Sequence, residues 1–192
     1  MSVSTIVLLV VLAIVIIILV WGIVAYNHLV ALRNRVQNGF SQIDVQLKRR
    51  TDLVPNLVET VKGYATHESQ VFQKVTEARA EAVKAASSNG STTADRAQAE
   101  SALSNALMAL QATAEAYPDL KANQNFLQLQ DQLSDLEQKI AYARQFYNDV
   151  VQKLNTAVQT FPSNVIAGMF HFSQAQYFQV AESDKSVPQV KF

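Results

Sequence analysis

His67 and Glu68 stand side by side in YATHESQ, and a His-Glu pair is the first half of a zinc-protease motif. That motif needs a second His four residues after the first, so that both imidazoles share one helical face and the Glu acts as base. Position 71 is Val71, so the pattern stops at the pair, and His67 reads as a solvent-side or rim histidine. His28 and His171 stand apart from any carboxylate cluster in the sequence. A di-iron bundle needs two Glu-x-x-His repeats, and no Glu in this chain has a His three residues on. Serines gather between residues 87 and 101 with no His to frame them, no Gly-x-Ser-x-Gly elbow exists, and Gly-rich phosphate loops are missing. Cysteine is absent, which removes a thiol nucleophile, a disulfide framework, Cys-ligated zinc or iron–sulfur sites and a lipidated Cys. The reading is therefore no enzyme: no catalytic, metal-ligating or cofactor-binding residue, no cofactor and no small-molecule substrate.

The richest polar group is Arg49, Arg50, Asp52, Asn56 and Glu59, clustered around Pro55. Two uses fit these residue types. They cap helix ends and form rim salt bridges that hold a bend, or they present a polar docking face to another protein. Both can hold at once. In FPSNVIAGMFHF, the set Phe161, Ile166, Met169 and Phe170 reads as a lid over a helical core before it reads as a ligand pocket. Asn148, Asn155 and Asn164 read as helix-surface or capping amides, and Gly39-Phe40 as close helix packing.

These residues must be positioned by helices. After the first stretch the chain is rich in Ala, Leu, Gln, Glu, Lys and Arg, with few Gly and Pro and no strand signal. The first stretch is different. Ile6 to Tyr26 is uncharged and apolar, long enough to cross a bilayer core of ~30 Å as a helix. It is longer than a signal-peptide core, lacks a preceding Lys or Arg, and has a poor cleavage site at WGIVAYN, so it is read as a retained anchor. Trp21 and Tyr26 mark its headgroup end. Arg33 and Arg35 follow within the window that sets orientation, which favours an N-terminus outside and the rest of the chain in the cytoplasm. Formal charge sums to zero, with 16 basic and 16 acidic side chains, so no global field draws the protein to nucleic acid.

Leu29, Leu32, Val36, Phe40, Ile43 and Leu47 step by three or four, so the membrane helix is expected to continue to about Arg50. Pro55 then predicts a break or sharp kink over residues 51–55, with Thr51 or Asp52 as a new cap. A second stripe, Val54, Leu57, Val61, Tyr64, Val71, Val75 and Ala78, runs to about Ala86, with Glu68 on it as a polar contact or a drift of the face. SSNGSTTAD is a turn with Asp95 as candidate cap, a short helix carries Leu103, Leu107 and Leu110, and Pro118 stops it with Asp119 as the next cap. The last helix has a coiled-coil-like seam: Phe126, Leu133, Ile140, Tyr147 and Leu154, interleaved with Leu129, Leu136, Ala143, Val150 and Ala157, ending near Thr160. The expected fold is all-α, an N-terminal transmembrane helix (residues 1–26) continuing into an antiparallel four-helix up-and-down bundle (27–172), then a polar C-terminal tail (173–192).

The block YNHLVALRNRVQNGFSQIDVQLKRRTDLVPNLVETVKGYATHE, followed by AYPDLKANQNFLQLQDQLSDLEQKIAYARQFYNDVVQKLNTAVQTFPSNVIAGMF, resembles the LemA family of bacterial membrane proteins, and the two blocks cover nearly the whole chain after the anchor. The resemblance implies a transmembrane helix and a helical-bundle domain, and no established biochemical activity. It also implies links to membrane-protease or envelope-maintenance functions, and in one lineage to magnetosome formation. The expected role is a non-catalytic membrane-anchored scaffold or interaction protein. Its partners would be the lipid bilayer and a membrane protein (a membrane protease is one candidate) or a second copy of itself. The alternative is a signalling or sensor module in which a hinge at Pro55 couples the membrane helix to the bundle. A metal-dependent enzyme ranks below both.

Overall fold

A computed structural model describes residues 2–88 and 90–179, and among these the secondary structure is entirely helical. Six helices follow in order: α1 (Val3–Lys62), α2 (Ser69–Ser87), α3 (Thr93–Glu115), α4 (Pro118–Lys121), α5 (Gln124–Gln159) and α6 (Ser163–Met169). They form two compact units. The first holds the chain up to Gly39 with Asn148–Gln176; the second holds Phe40–Tyr147 with the chain from Tyr177 on. Residues 27–39 of α1 group with the apolar stretch in the first unit.

In the first unit, α1 is the one helix among the described residues long and apolar enough to cross a membrane, and none of its most apolar window is buried. Val7 to Leu19 expose their side chains along the whole stretch. Beyond it a small core forms from Leu29, Leu32, Leu154 and Ala167, flanked by Ile166, Phe172 and Ala175. Asn155 is no surface amide: its Nδ2 donates to the Ala175 carbonyl (3.0 Å), and its Oδ1 accepts from the Ala175 N–H (2.8 Å). Within the described part of the polar tail, Ala175 is held by Asn155, and Phe178, in the second unit, is buried. The remainder of the expected tail, residues 180–192 with Pro188, lies outside the described residues, as does Asn89 of the turn.

A large core lies in the second unit. Val54, Leu57, Val58 and Val61 of α1, Phe72, Val75 and Ala82 of α2, Leu103, Leu107 and Leu110 of α3, Leu120 of α4, and Phe126 and Leu133 of α5 all enter it. The seam read on α5 is buried in this unit at Phe126, Leu133, Leu136, Ile140, Ala143 and Tyr147.

Of the break or sharp kink expected over 51–55, the break does not occur: α1 passes through Pro55 to Lys62 as one helix. Proline has no N–H, so the Thr51 carbonyl loses its normal partner. Arg79 of α2 supplies the missing donor, its Nε reaching the Thr51 carbonyl at 2.7 Å. Thr51 and Asp52 accordingly cap nothing. Thr51 Oγ1 donates back to the Lys48 carbonyl (2.8 Å), and Asp52 pairs with Lys48 (2.9 Å). The chain turns instead at Gly63–Glu68, where the Tyr64 and Ala65 N–H groups both return to the Val61 carbonyl and Ala65 closes the core.

Two other caps shift from their expected residues. Thr92 is the N-cap of α3, with Asp95 reciprocating from the third helical position in a capping box. This backbone bond from Thr92 holds the Asp95 carboxyl below its ordinary range. Asn123, not Asp119, caps α5 through its Oδ1 and the Phe126 N–H (3.1 Å). Pro118 does stop α3, and occupies the first position of α4, where its missing N–H costs nothing.

Candidate interaction surfaces and a buried ion network

The five residues read together around Pro55 separate in the structure. Arg49, Asp52, Asn56 and Glu59 are exposed, whereas Arg50 is fully buried. Arg50 is thereby unavailable to a docking partner. Helical spacing explains the separation: Ile43, Leu47, Arg50, Val54, Leu57 and Val61 step by three or four, so Arg50 occupies a core position on α1.

A guanidinium in such a position must be paired. Arg50 Nη2 donates to Glu100 Oε2 and to the Glu100 carbonyl (3.2 Å), and Nη1 donates to Glu137 Oε1 (2.6 Å) and Ser104 Oγ (2.9 Å). Glu100 too sits in an apolar stripe, with Ala97, Leu103, Leu107 and Leu110 on α3. Burial pushes its carboxyl above the ordinary range; the Arg50 charge pulls it back without cancelling the effect. The network ties α1, α3 and α5 together, and its geometry is that of a structural clamp. Glu100, Ser104 and Glu137 were missed as partners in the sequence, although charges at core-facing positions are the available signal.

Beside this clamp lies a cleft of about 410 Å³ lined by Asp44, Lys48, Asp52, Arg79 and Glu100 among others. Arg96 closes onto Asp44 (2.7 Å) and lies over the Phe40 ring at 5.0 Å. The cleft therefore carries opposite charges side by side, which suits a polar contact. Of the four exposed residues of the polar group, Asp52 pairs with Lys48 and Glu59 with Lys62 at 3.7 Å, both on α1.

A second surface of the same unit is apolar. A groove of about 740 Å³ is lined by Gln42, Val45, Lys139, Tyr142 and Phe146 among others, and Tyr142 is 73% exposed. Tyr142 and Phe146 are four residues apart on α5 and lie off the buried seam, a spacing visible in the sequence but not singled out there.

The first unit has a groove of about 870 Å³, lined by Trp21, His28, Arg35, Asp149, Lys153 and Thr156 among others. Of the lid set, only Ile166 turns inward, whereas Phe161, Met169 and Phe170 remain exposed. The transmembrane markers lie on α1, with Ile6 exposed, Trp21 on this groove and Tyr26 against aromatic rings of the α6 region. His67 is exposed and Glu68 half-buried, its Oε1 within 3.5 Å of the Tyr117 hydroxyl. Among the described residues no three His, Cys, Asp or Glu side chains converge as metal ligands would.

The model of the LemA family matches residues 39–192. Protein LemA of Metamycoplasma hominis is 27% identical, over 83% of this chain and 71% of its own length. Magnetosome protein MamQ 2 of Paramagnetospirillum magneticum and magnetosome protein MamQ of Magnetospirillum gryphiswaldense are each 26% identical, over 80% of this chain. The chain spans only 64% of the length of these two magnetosome proteins.

Proposed function

The chain belongs to the LemA family, and from that premise we propose a single-pass membrane-anchored scaffold that acts by protein contact and not by catalysis. On this reading residues 6–26 lie in a bacterial inner membrane with the N-terminus outside, and the second unit works in the cytoplasm. The four long segments entering its core are read as an antiparallel four-helix bundle joined by short connections. The observation that carries the proposal is the continuity of α1, one 60-residue helix that begins as a wholly unburied apolar stretch and ends inside a packed core. Such an element serves attachment at one end and presentation at the other. Contact surfaces then follow: the polar group Arg49, Asp52, Asn56 and Glu59, and the aromatic groove at Tyr142 and Phe146. The partner is a membrane protein, with a membrane protease as one candidate, or a second copy of the chain. A role in envelope or membrane-protein maintenance fits that arrangement.

The alternative is a signalling or sensor module in which α1, helical through Pro55, couples the membrane helix to the second unit. Photo-crosslinkers placed at Glu59 and Tyr142 in intact cells test the scaffold reading. One captured membrane protein, or the chain itself, supports it; recovery of only uncrosslinked monomer from both positions sinks it.

A further inference from the structure

Between Lys153 and Glu182 the chain contains no Asp, Glu, Lys or Arg, with His171 the one titratable ring within that run besides Tyr177. This run includes α6. In the first unit α6 lies against the end of the apolar stretch of α1. Ile166 Cδ1 is 3.8 Å from where a Cβ on Gly22 would sit, and the Phe170 and Phe172 rings stand 4.7 and 5.8 Å from the ring of Tyr26. His171, in the left-handed region at φ 56, turns the chain so that both rings reach Tyr26. The inward side of α6 is thus Ile166 and Ala167. Its outward side is Val165 and Met169, one helical turn apart, with Phe161 before and Phe170 after. These four are 50%, 66%, 82% and 54% exposed, respectively. The first charged side chain on α1, Arg33, lies seven residues beyond Tyr26, about 10 Å further along the helix.

We propose that α6 is a second membrane contact, an interfacial element whose Phe161, Val165, Met169 and Phe170 side chains dip into the headgroup–acyl boundary beside the anchor. The occupant of this apolar face is the lipid bilayer, because the face is continuous with the stretch that spans it. Gly22 and Tyr26, against which α6 packs, belong to the last turns of that stretch, at the depth where amphipathic and aromatic groups partition. An uncharged element at that depth pays no desolvation cost for a charge, which fits the lack of Asp, Glu, Lys and Arg over residues 161–172. Trp21 and Tyr26 mark the same boundary on α1, and Arg33, Arg35 and Lys153 then lie on the headgroup side of it. The element fixes the depth of the anchor and stops the helix from sliding through the bilayer.

The inference rests on residues 6–26 spanning the membrane, and the test separates the two. The native chain has no cysteine, so nitroxide labels go on single-Cys variants of the full chain: Val15→Cys in the apolar stretch, Val165→Cys and Met169→Cys on α6, and Gln73→Cys on α2. In vesicles of phosphatidylethanolamine and phosphatidylglycerol, collision with lipid-soluble oxygen is compared with collision with a water-soluble nickel chelate. Oxygen is expected to dominate at 15, 165 and 169, and nickel at 73. Nickel dominance at 165 and 169 with oxygen dominance at 15 overturns the interfacial role and leaves the anchor standing. Nickel dominance at 15 overturns the anchor and the inference together.

Discussion

Val54, Val61, Leu103 and Ile140 of the second unit are nearly sealed from solvent, whereas Val7, Ile14, Ile17 and Leu19 of the first are about half exposed or more. Both sets are aliphatic residues on long helices, so composition alone does not separate them. The difference is in their neighbours. In the second unit stripes from α1, α2, α3 and α5 meet, and each helix needs one apolar face only. In the first unit the apolar stretch is apolar all round and, apart from its last turns at Gly22 and Tyr26, no described residue covers it, as expected of a lipid-facing helix. The second unit thus buries its long helices against one another, whereas the apolar stretch of the first leaves its side chains uncovered.

The comparison can be broken most forcefully at Arg50. Arg50→Ala strands the buried Glu100 carboxylate and is expected to destabilise the second unit by about 3–5 kcal/mol in urea unfolding. Pairing Arg50→Met with Glu100→Leu should recover most of that loss, because the position asks for apolar volume once the charge is gone. Residues 6–26 should keep their amide protection in all these variants. Acidification gives a related effect. The Glu100 pKa is raised in the folded protein, so the folded state takes up a proton before the unfolded chain does. The contribution of this group to stability therefore rises as pH falls through the raised value, and is complete below its ordinary value of 4.5. Urea midpoints of the native chain and Glu100→Gln, compared over that range, should converge toward the acid end.

Next in size is the Arg79 contact. Arg79→Ala leaves the Thr51 carbonyl without a donor, at an expected cost of about 1–3 kcal/mol. Pro55→Ala restores an N–H to that carbonyl, so in its background Arg79→Ala should cost much less, and a double-mutant cycle reads the coupling. Thr92→Ala removes one arm of the capping box and should cost about 1 kcal/mol. At the small end, Arg49→Ala and Asn56→Ala should move stability by less than about 0.5 kcal/mol while lowering crosslinking at Glu59 if that face carries the partner.

Much of this arrangement was legible in the residues. Uncharged Ile6–Tyr26 announced the membrane-type helix, the heptad seam announced α5, and Ser, Gly and Thr composition announced the α2–α3 turn. Pro55 misled because its propensity is local and its remedy is not. The donor that rescues Thr51 comes from Arg79 on the next helix, and only the fold brings it there. Arg50 misled for a similar reason, since its sequence neighbours Lys48, Arg49 and Asp52 suggest a surface cluster. Its helical neighbours Leu47 and Val54 place it inside, and its partners are 50 and 87 residues away. The exposed aromatics at 142 and 146 escaped attention because the stronger seam beside them drew the reading.

The most direct test of the two-region account is residue-resolved hydrogen exchange of the full chain in lipid nanodiscs across a urea series. Amides of residues 54–61, 103–110 and 133–140 should lose protection together in one transition, while those of residues 6–22 stay protected through it, held by lipid. Loss of protection at both regions in a single step, or free exchange at residues 6–22 before any urea is added, would contradict it.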